Sequence, residues 1–251
     1  MELDWHFCLV SKTTYKLNLA EFSDANYSLE NKIIISFPIC SEETDKIDNS
    51  PVLTQPWSVE IPRTNDYAGF DLTTGSFYRT KSSRQRQVAL GAPRAGDLRE
   101  GTVFIVETKA VTLNSQEAKV KQVAKVHGDK SGEYFGASLL SMDINGDGVD
   151  DLIIGSPLYT FVEPSVASVG FEEGRISIFS LNSRSDQLER KLALNGPGGP
   201  GARFGAAIAN LGDIDQDNYQ DFVVGSPFED NGMGVVRIFY GNPNIEYIQG
   251  I

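Results

Sequence analysis

A chain of 251 residues with 40% hydrophobic content is long enough to bury a sizeable core as one large β domain or two small ones, which excludes a disordered chain. Its 22 basic and 34 acidic residues give a formal charge of -12, which argues against electrostatic attachment to nucleic acid or anionic lipid and favours attraction of cations. Cys8 and Cys40 cannot build a disulfide framework, fall in no zinc or redox spacing, and form at most one bridge.

Residues 1–66 align with no repeat. They have no basic start followed by an apolar run, and their longest aliphatic stretch, Ile33-Ile34-Ile35, is far short of a membrane span, so neither an export signal nor a transmembrane segment is read here. Asn26-Tyr27-Ser28 is a formal glycosylation acceptor that matters only on the secretory path. A partial outer strand of a preceding unit is expected around residues 57–61.

From residue 67 the chain repeats itself, and the repeat decides the fold. One copy runs from Tyr67-Ala68-Gly69 to Gly91-Ala92-Pro93, the next from Tyr134-Phe135-Gly136 to Gly155-Ser156-Pro157, and the last from Arg203-Phe204-Gly205 to Gly225-Ser226-Pro227. The period of roughly 64 to 70 residues suits a four-stranded propeller blade with its loops. The implied units are residues 67–128, 129–196 and 197–251. Within them, β-branched and aliphatic runs alternate with Gly, Pro, Asn and Asp clusters, the pattern of a strand meander. In the first copy the later three strands are expected at 87–90, 102–106 and 122–126. In the middle copy all four are expected at 135–142, 152–154, 175–181 and 191–194, and in the last at 204–211, 222–224, 235–240 and 246–248. Gly69, Gly136 and Gly205 are read as strand glycines that mark a bulge or a close backbone approach, and the proline of each Gly-x-Pro as the end of a second strand.

Between the first two strands of the middle copy lies Asp143-Ile144-Asn145-Gly146-Asp147-Gly148-Val149-Asp150-Asp151, with oxygen side chains at its first, third, fifth and ninth positions. The last copy repeats this as Asp213-Ile214-Asp215-Gln216-Asp217-Asn218-Tyr219-Gln220-Asp221. Calcium takes about six to eight oxygen ligands, and alternate residues of a tight loop supply them together with a backbone carbonyl. Two Ca2+ sites are therefore expected: Asp143, Asn145, Asp147 and Asp151 with the Val149 carbonyl, and Asp213, Asp215, Asp217 and Asp221 with the Tyr219 carbonyl. Gly148 and Asn218 both tolerate the positive φ of such a turn. An EF-hand would need a Glu at the twelfth position, where Ile154 and Val224 stand. Counted back by the same interval from Gly91, the first copy puts Arg79, Lys81, Ser83 and Gln87 at these positions, and no cation is expected there.

Tyr-Phe-Gly, then D-x-N-x-D-G-x-x-D, then Gly-Ser-Pro resemble the FG-GAP repeats of the integrin α-subunit head over about residues 67 to 251. The resemblance implies an all-β fold, three four-stranded blades of a seven-bladed propeller, and hence a fragment; one loopless blade before two with loops matches the family's fourth, fifth and sixth blades. It also implies an extracellular part of a membrane receptor that acts in cell adhesion. Its upper face would pair with an integrin β subunit and help bind an extracellular-matrix or cell-surface protein, while the ten loop residues act as structural calcium ligands on the lower face. No catalysis is implied. FG-GAP repeats also accompany a glycosylphosphatidylinositol-cleaving phospholipase, whose metal-hydrolase domain would call for clustered histidines; His6 and His127 are isolated. A third reading is a free-standing binding scaffold assembled from several chains. Gly196-Pro197-Gly198-Gly199-Pro200-Gly201 lacks the Gly-Lys-Ser/Thr of a phosphate loop and reads as a connection between blades.

Overall fold

The computed structural model describes residues 32–35, 57–60, 66–78, 86–108, 120–161 and 170–250. β1 (Lys32–Ile35) pairs antiparallel with β2 (Trp57–Glu60). A strand is thus present near residue 57, and its partner is the aliphatic run, a pairing that no local pattern announces. β3 (Leu72–Gly75), β4 (Gln87–Ala92), β5 (Thr102–Thr108) and β6 (Val120–His127) form a first sheet; β7 (Ser138–Met142), β8 (Asp151–Ser156), β9 (Arg175–Asn182) and β10 (Gln187–Asn195) form a second. β11 (Ala207–Gly212), β12 (Asp221–Ser226) and β13 (Val235–Phe239) form a third. Each strand of these three sheets pairs antiparallel with its neighbour in sequence, the meander of a propeller blade.

The fourth place of the third sheet departs from the expected strand at 246–248. Ile245–Tyr247 is a 3-10 turn, followed by an isolated antiparallel bridge between Phe239 and Gly250. The Asn244 side chain accepts the Glu246 amide and caps the turn. Ile245 and Ile248, both buried, are three apart, the spacing at which a 3-10 turn puts two side chains on one side. The third blade therefore has three strands and a turn among the described residues.

The sheets pack face to face, and the alternation of side chains along a strand divides the core. Leu152 and Ile154 on β8 join Phe77, Ala89, Val103, Ile105 and Phe135 in one cluster against the first sheet. Ile153, between them, joins Ile144, Ile176, Ile178, Phe204, Phe222 and Val224 in the other, against the third. β4 and β8 are buried throughout, which is why they read as near-continuous apolar runs rather than alternating ones.

The repeated glycines hold the inner strands at this spacing. Gly69, Gly136 and Gly205 lie in the turn before the first strand of each sheet rather than inside it, with φ of +83°, +92° and +86°, a backbone region that costs other residues dearly. Their amides donate to the carbonyls of Gly91, Gly155 and Gly225 in the same sheet, at 2.8, 3.1 and 3.1 Å. A Cβ on Gly155 would in turn collide with the Gly205 carbonyl oxygen of the next sheet, and one on Gly91 with that of Gly136. β4, β8 and β12 end just before Pro93, Pro157 and Pro227, as expected of residues that cannot donate to the ladder.

At the opposite end of the strands from the acidic loops, the turn between β6 and β7 buries Glu133. Its Oε1 accepts the Asp129 amide at 2.8 Å, and its buried Oε2 has no hydrogen-bond partner. Burial, with a smaller push from the negative charge of Asp129, raises the carboxyl to about 7, opposed by the hydrogen bond from the Asp129 amide and then by Arg175. Arg175 itself is held by Asp129 at 2.8 Å and lies 3.6 Å over the Tyr159 ring.

Gly155→Ala is expected to destabilise the fold by about 1–3 kcal/mol through overpacking, while Gly225→Ala, whose Cβ would meet nothing closer than Ala207 at 3.7 Å, stays within about 0.5 kcal/mol; urea-unfolding midpoints measure both. Glu133 has a folded pKa above its unfolded value, so the folded state binds the extra proton and stability is lost as pH rises from 4.5 to about 7. Glu133→Gln, which keeps the acceptor for Asp129, should therefore gain stability relative to the parent across that window, and the same midpoints at pH 4.5 and pH 8 check it.

Candidate cation-binding loops

Loop 143–151 joins β7 to β8, and loop 213–221 joins β11 to β12. Both are shaped by their own side chains, because short Asp and Asn side chains accept backbone amides two to five residues on and so fold a turn around themselves. In the first, Asp143 accepts Gly146 and Asp147 with Oδ1 and Gly148 with Oδ2, Asn145 accepts Asp147, and Asp147 accepts Val149, all at 2.8–3.1 Å. In the second, Asp213 accepts Asp217 and Asn218, Asp215 accepts Asp217, and Asp217 accepts Tyr219, at 2.9–3.3 Å. Gly148 and Asn218 have positive φ as the sequence requires, and so do Gly146 and Gln216.

The turn in loop 213–221 draws acidic oxygens together. Asp213, Asp215 and Asp221 each present a carboxylate oxygen within 4.8 Å of the others. Desolvation, then the negative charge of Asp217, raises the Asp215 carboxyl above its ordinary range. In the second blade, Asp151 is buried at the foot of the loop. Burial pushes its carboxyl up to about 7, with Asp147 and Asp143 adding to the rise and hydrogen bonds from Ser180 and Ile144 opposing it. Converging carboxylates that resist ionisation are stabilised by a cation. The donor set is oxygen throughout, which suits a hard divalent ion rather than zinc or copper.

The ninth position has a second task that the sequence did not reveal. Asp151 Oδ2 accepts the Ile144 amide at 3.1 Å, and Asp221 Oδ2 accepts the Ile214 amide at 2.8 Å. In the first blade Gln87 Oε1 accepts the Phe77 amide at 2.9 Å. Gln87 pairs with Gly75 as Asp151 pairs with Met142, so Gln87 is confirmed at the ninth position and Ser76 stands at the first. The equal-interval count that placed Arg79 there is corrected by a connection longer by a few residues; residues 79–85, including Arg79, Lys81 and Ser83, lie outside the described residues. The signal available in the sequence was the buried apolar residue one step after the first position, Phe77 or Ile144.

Residues 135–179 and 204–239 match the FG-GAP repeat family, spanning most of the second and third sheets with both loops. The chain is 34% identical over 182 residues to "Integrin alpha-PS2" of Drosophila melanogaster, covering 71% of this chain and 12% of that protein. It is 32% identical over 175 residues to "Integrin alpha-4" of Xenopus laevis, covering 70% and 15%, and 34% identical over 184 residues to "Integrin alpha-11" of Homo sapiens, covering 72% and 14%. It thus spans about a seventh of the length of the relatives it matches. By its blades, its repeated motifs and these relatives, the chain is an FG-GAP repeat segment similar to integrin alpha subunits.

Proposed function

We propose that this segment is a calcium-braced, non-catalytic propeller module of an adhesion receptor, exposed on the extracellular side and paired with an integrin β subunit. The observation that carries the reading is the duplication of an oxygen-only loop, with matching turn-forming hydrogen bonds in adjacent blades and three converging carboxylates in the third. Asp143, Asn145, Asp147, Asp151 and the Val149 carbonyl would hold one Ca2+, and Asp213, Asp215, Asp217, Asp221 and the Tyr219 carbonyl the other. The ion would neutralise the clustered carboxylates and tie both ends of each loop together. With affinities of roughly 10⁻⁴ to 10⁻³ M, millimolar calcium adds about 0.4 to 1.4 kcal/mol per site, a structural contribution suited to an extracellular module.

A partner surface is available at the other end of the strands. The connections there expose Tyr67, Phe70, Leu98, Phe171, Phe228 and Met233, and apolar side chains gathered on one face favour protein contact. This supports the pairing with a β subunit and the contribution to binding of a matrix or cell-surface protein. No helix of the described residues is long and apolar enough to cross a membrane.

Calorimetric titration of the chain with calcium tests the reading. Two sites of submillimolar to millimolar affinity are expected, with Asp147→Ala removing one and Asp217→Ala the other. A folded chain that binds no calcium, or a double variant that binds as the parent does, would overturn it.

A further inference from the structure

Loop 143–151 is anchored to both neighbouring blades. Toward the third, the Ile144 carbonyl accepts the Asn242 amide at 3.1 Å, and Gly146 lies so near the Tyr219 ring that a Cβ would stand 3.0 Å from it. Toward the first, Asp150 and Ser76 make a reciprocal pair: the Asp150 amide donates to the Ser76 carbonyl at 3.1 Å, and the Ser76 amide donates to Asp150 Oδ2 at 2.7 Å. Ser76 immediately follows β3. It occupies the first position of the one connection in this series that has no acidic residue at its first or ninth place.

Asp150 stands between two candidate calcium ligands, the Val149 carbonyl and the Asp151 carboxylate, while its own Oδ2 is committed to Ser76. We propose that Asp150 is a positioning residue through which cation binding in the second blade orders the cation-free connection of the first; the inference rests on the calcium reading of loop 143–151. With the ion bound, the backbone on both sides of Asp150 is fixed, and its amide and carboxylate are held in register with Ser76. Without it, Asp143, Asp147 and Asp151 repel one another and the loop loosens. A bond across 74 residues of chain then has to order the loop as well as itself, so opening at Ser76 becomes easier. The third-blade loop has Gln220 at the corresponding place, a side chain without the charge that strengthens a carboxylate–amide bond.

Amide-resolved hydrogen exchange tests this in the Asp217→Ala background, where only loop 143–151 retains its full set of ligands, with calorimetry on the same samples. Calcium should slow exchange at Ser76 about tenfold. The Leu139 amide, which donates to Asp71 Oδ2 across the same blade boundary at 2.7 Å, should respond much less. Asp150→Ala should abolish the calcium response at Ser76 while calorimetric affinity stays within about threefold, and Asp150→Asn, which keeps an acceptor oxygen without the charge, should restore part of it. A merely structural bond would instead lower Ser76 protection equally with and without calcium, and that result would overturn the inference. So would a Ser76 amide indifferent to calcium while calorimetry shows the site filled. Absence of calorimetric binding would overturn the calcium reading itself and this inference with it.

Discussion

The structure depends on how closely the inner strands of successive blades approach one another. That distance is set by glycine against carbonyl. Gly136 donates to Gly155 within the second blade, and the bare Cα of Gly155 rests against the Gly205 carbonyl of the third. The same step joins Gly91 to Gly136, so one backbone chain of contacts runs through all three blades. Only at this spacing can Ile153 reach one core while Leu152 and Ile154 reach the other. Each buried apolar side chain contributes about 1.5–3 kcal/mol by leaving water, and the glycine contacts set the spacing at which that burial is reached.

The blades were legible in the sequence because their punctuation is chemical: glycine where φ is positive, proline where a ladder ends, aspartate where a turn folds around its own carboxylates. Strand positions in the second blade and both acidic loops could be read from that punctuation alone. What was illegible depends on distance along the chain or on count. The partner of Trp57–Glu60 is an aliphatic run that no local pattern assigns. Extra residues in the β3–β4 connection shifted the equal-interval count from Ser76 to Arg79, which only strand register could correct. In the third blade, a β-favouring run at 246–248 lost to an Asn cap and an apolar spacing of three.

Gln87 separates two jobs that aspartate performs together in the other blades. The bond from the ninth residue to the amide of the second is present in all three connections, so this part of the turn needs an oxygen acceptor but no charge. Buried Gln87 supplies that oxygen as a neutral amide, whereas Asp151 brings a carboxylate that its burial makes hard to ionise. The acidic loops therefore combine a turn that a neutral acceptor can close with carboxylates whose cost a bound cation would relieve. On the proposed reading the ion would strengthen a pre-existing turn, a contribution of about a kcal/mol per site rather than the whole of folding.

On the proposed reading such a modest contribution would still act beyond its own loop, because a bound cation would fix positions that other blades use. The Ile144 carbonyl and the Asp150 carboxylate face different neighbours, so ordering nine residues of the second blade supports hydrogen bonds to the first and the third at once. The glycine contacts hold the inner strands near one another with or without an ion, but they say nothing about the connections at the strand ends. There residues 145–148 are half-buried or exposed, local opening costs less than in the strands, and small differences in loop order decide which amides stay closed. A propeller built this way draws its packing from the backbone at its centre, and on the proposed calcium reading its rim would stiffen when the loops hold their ions.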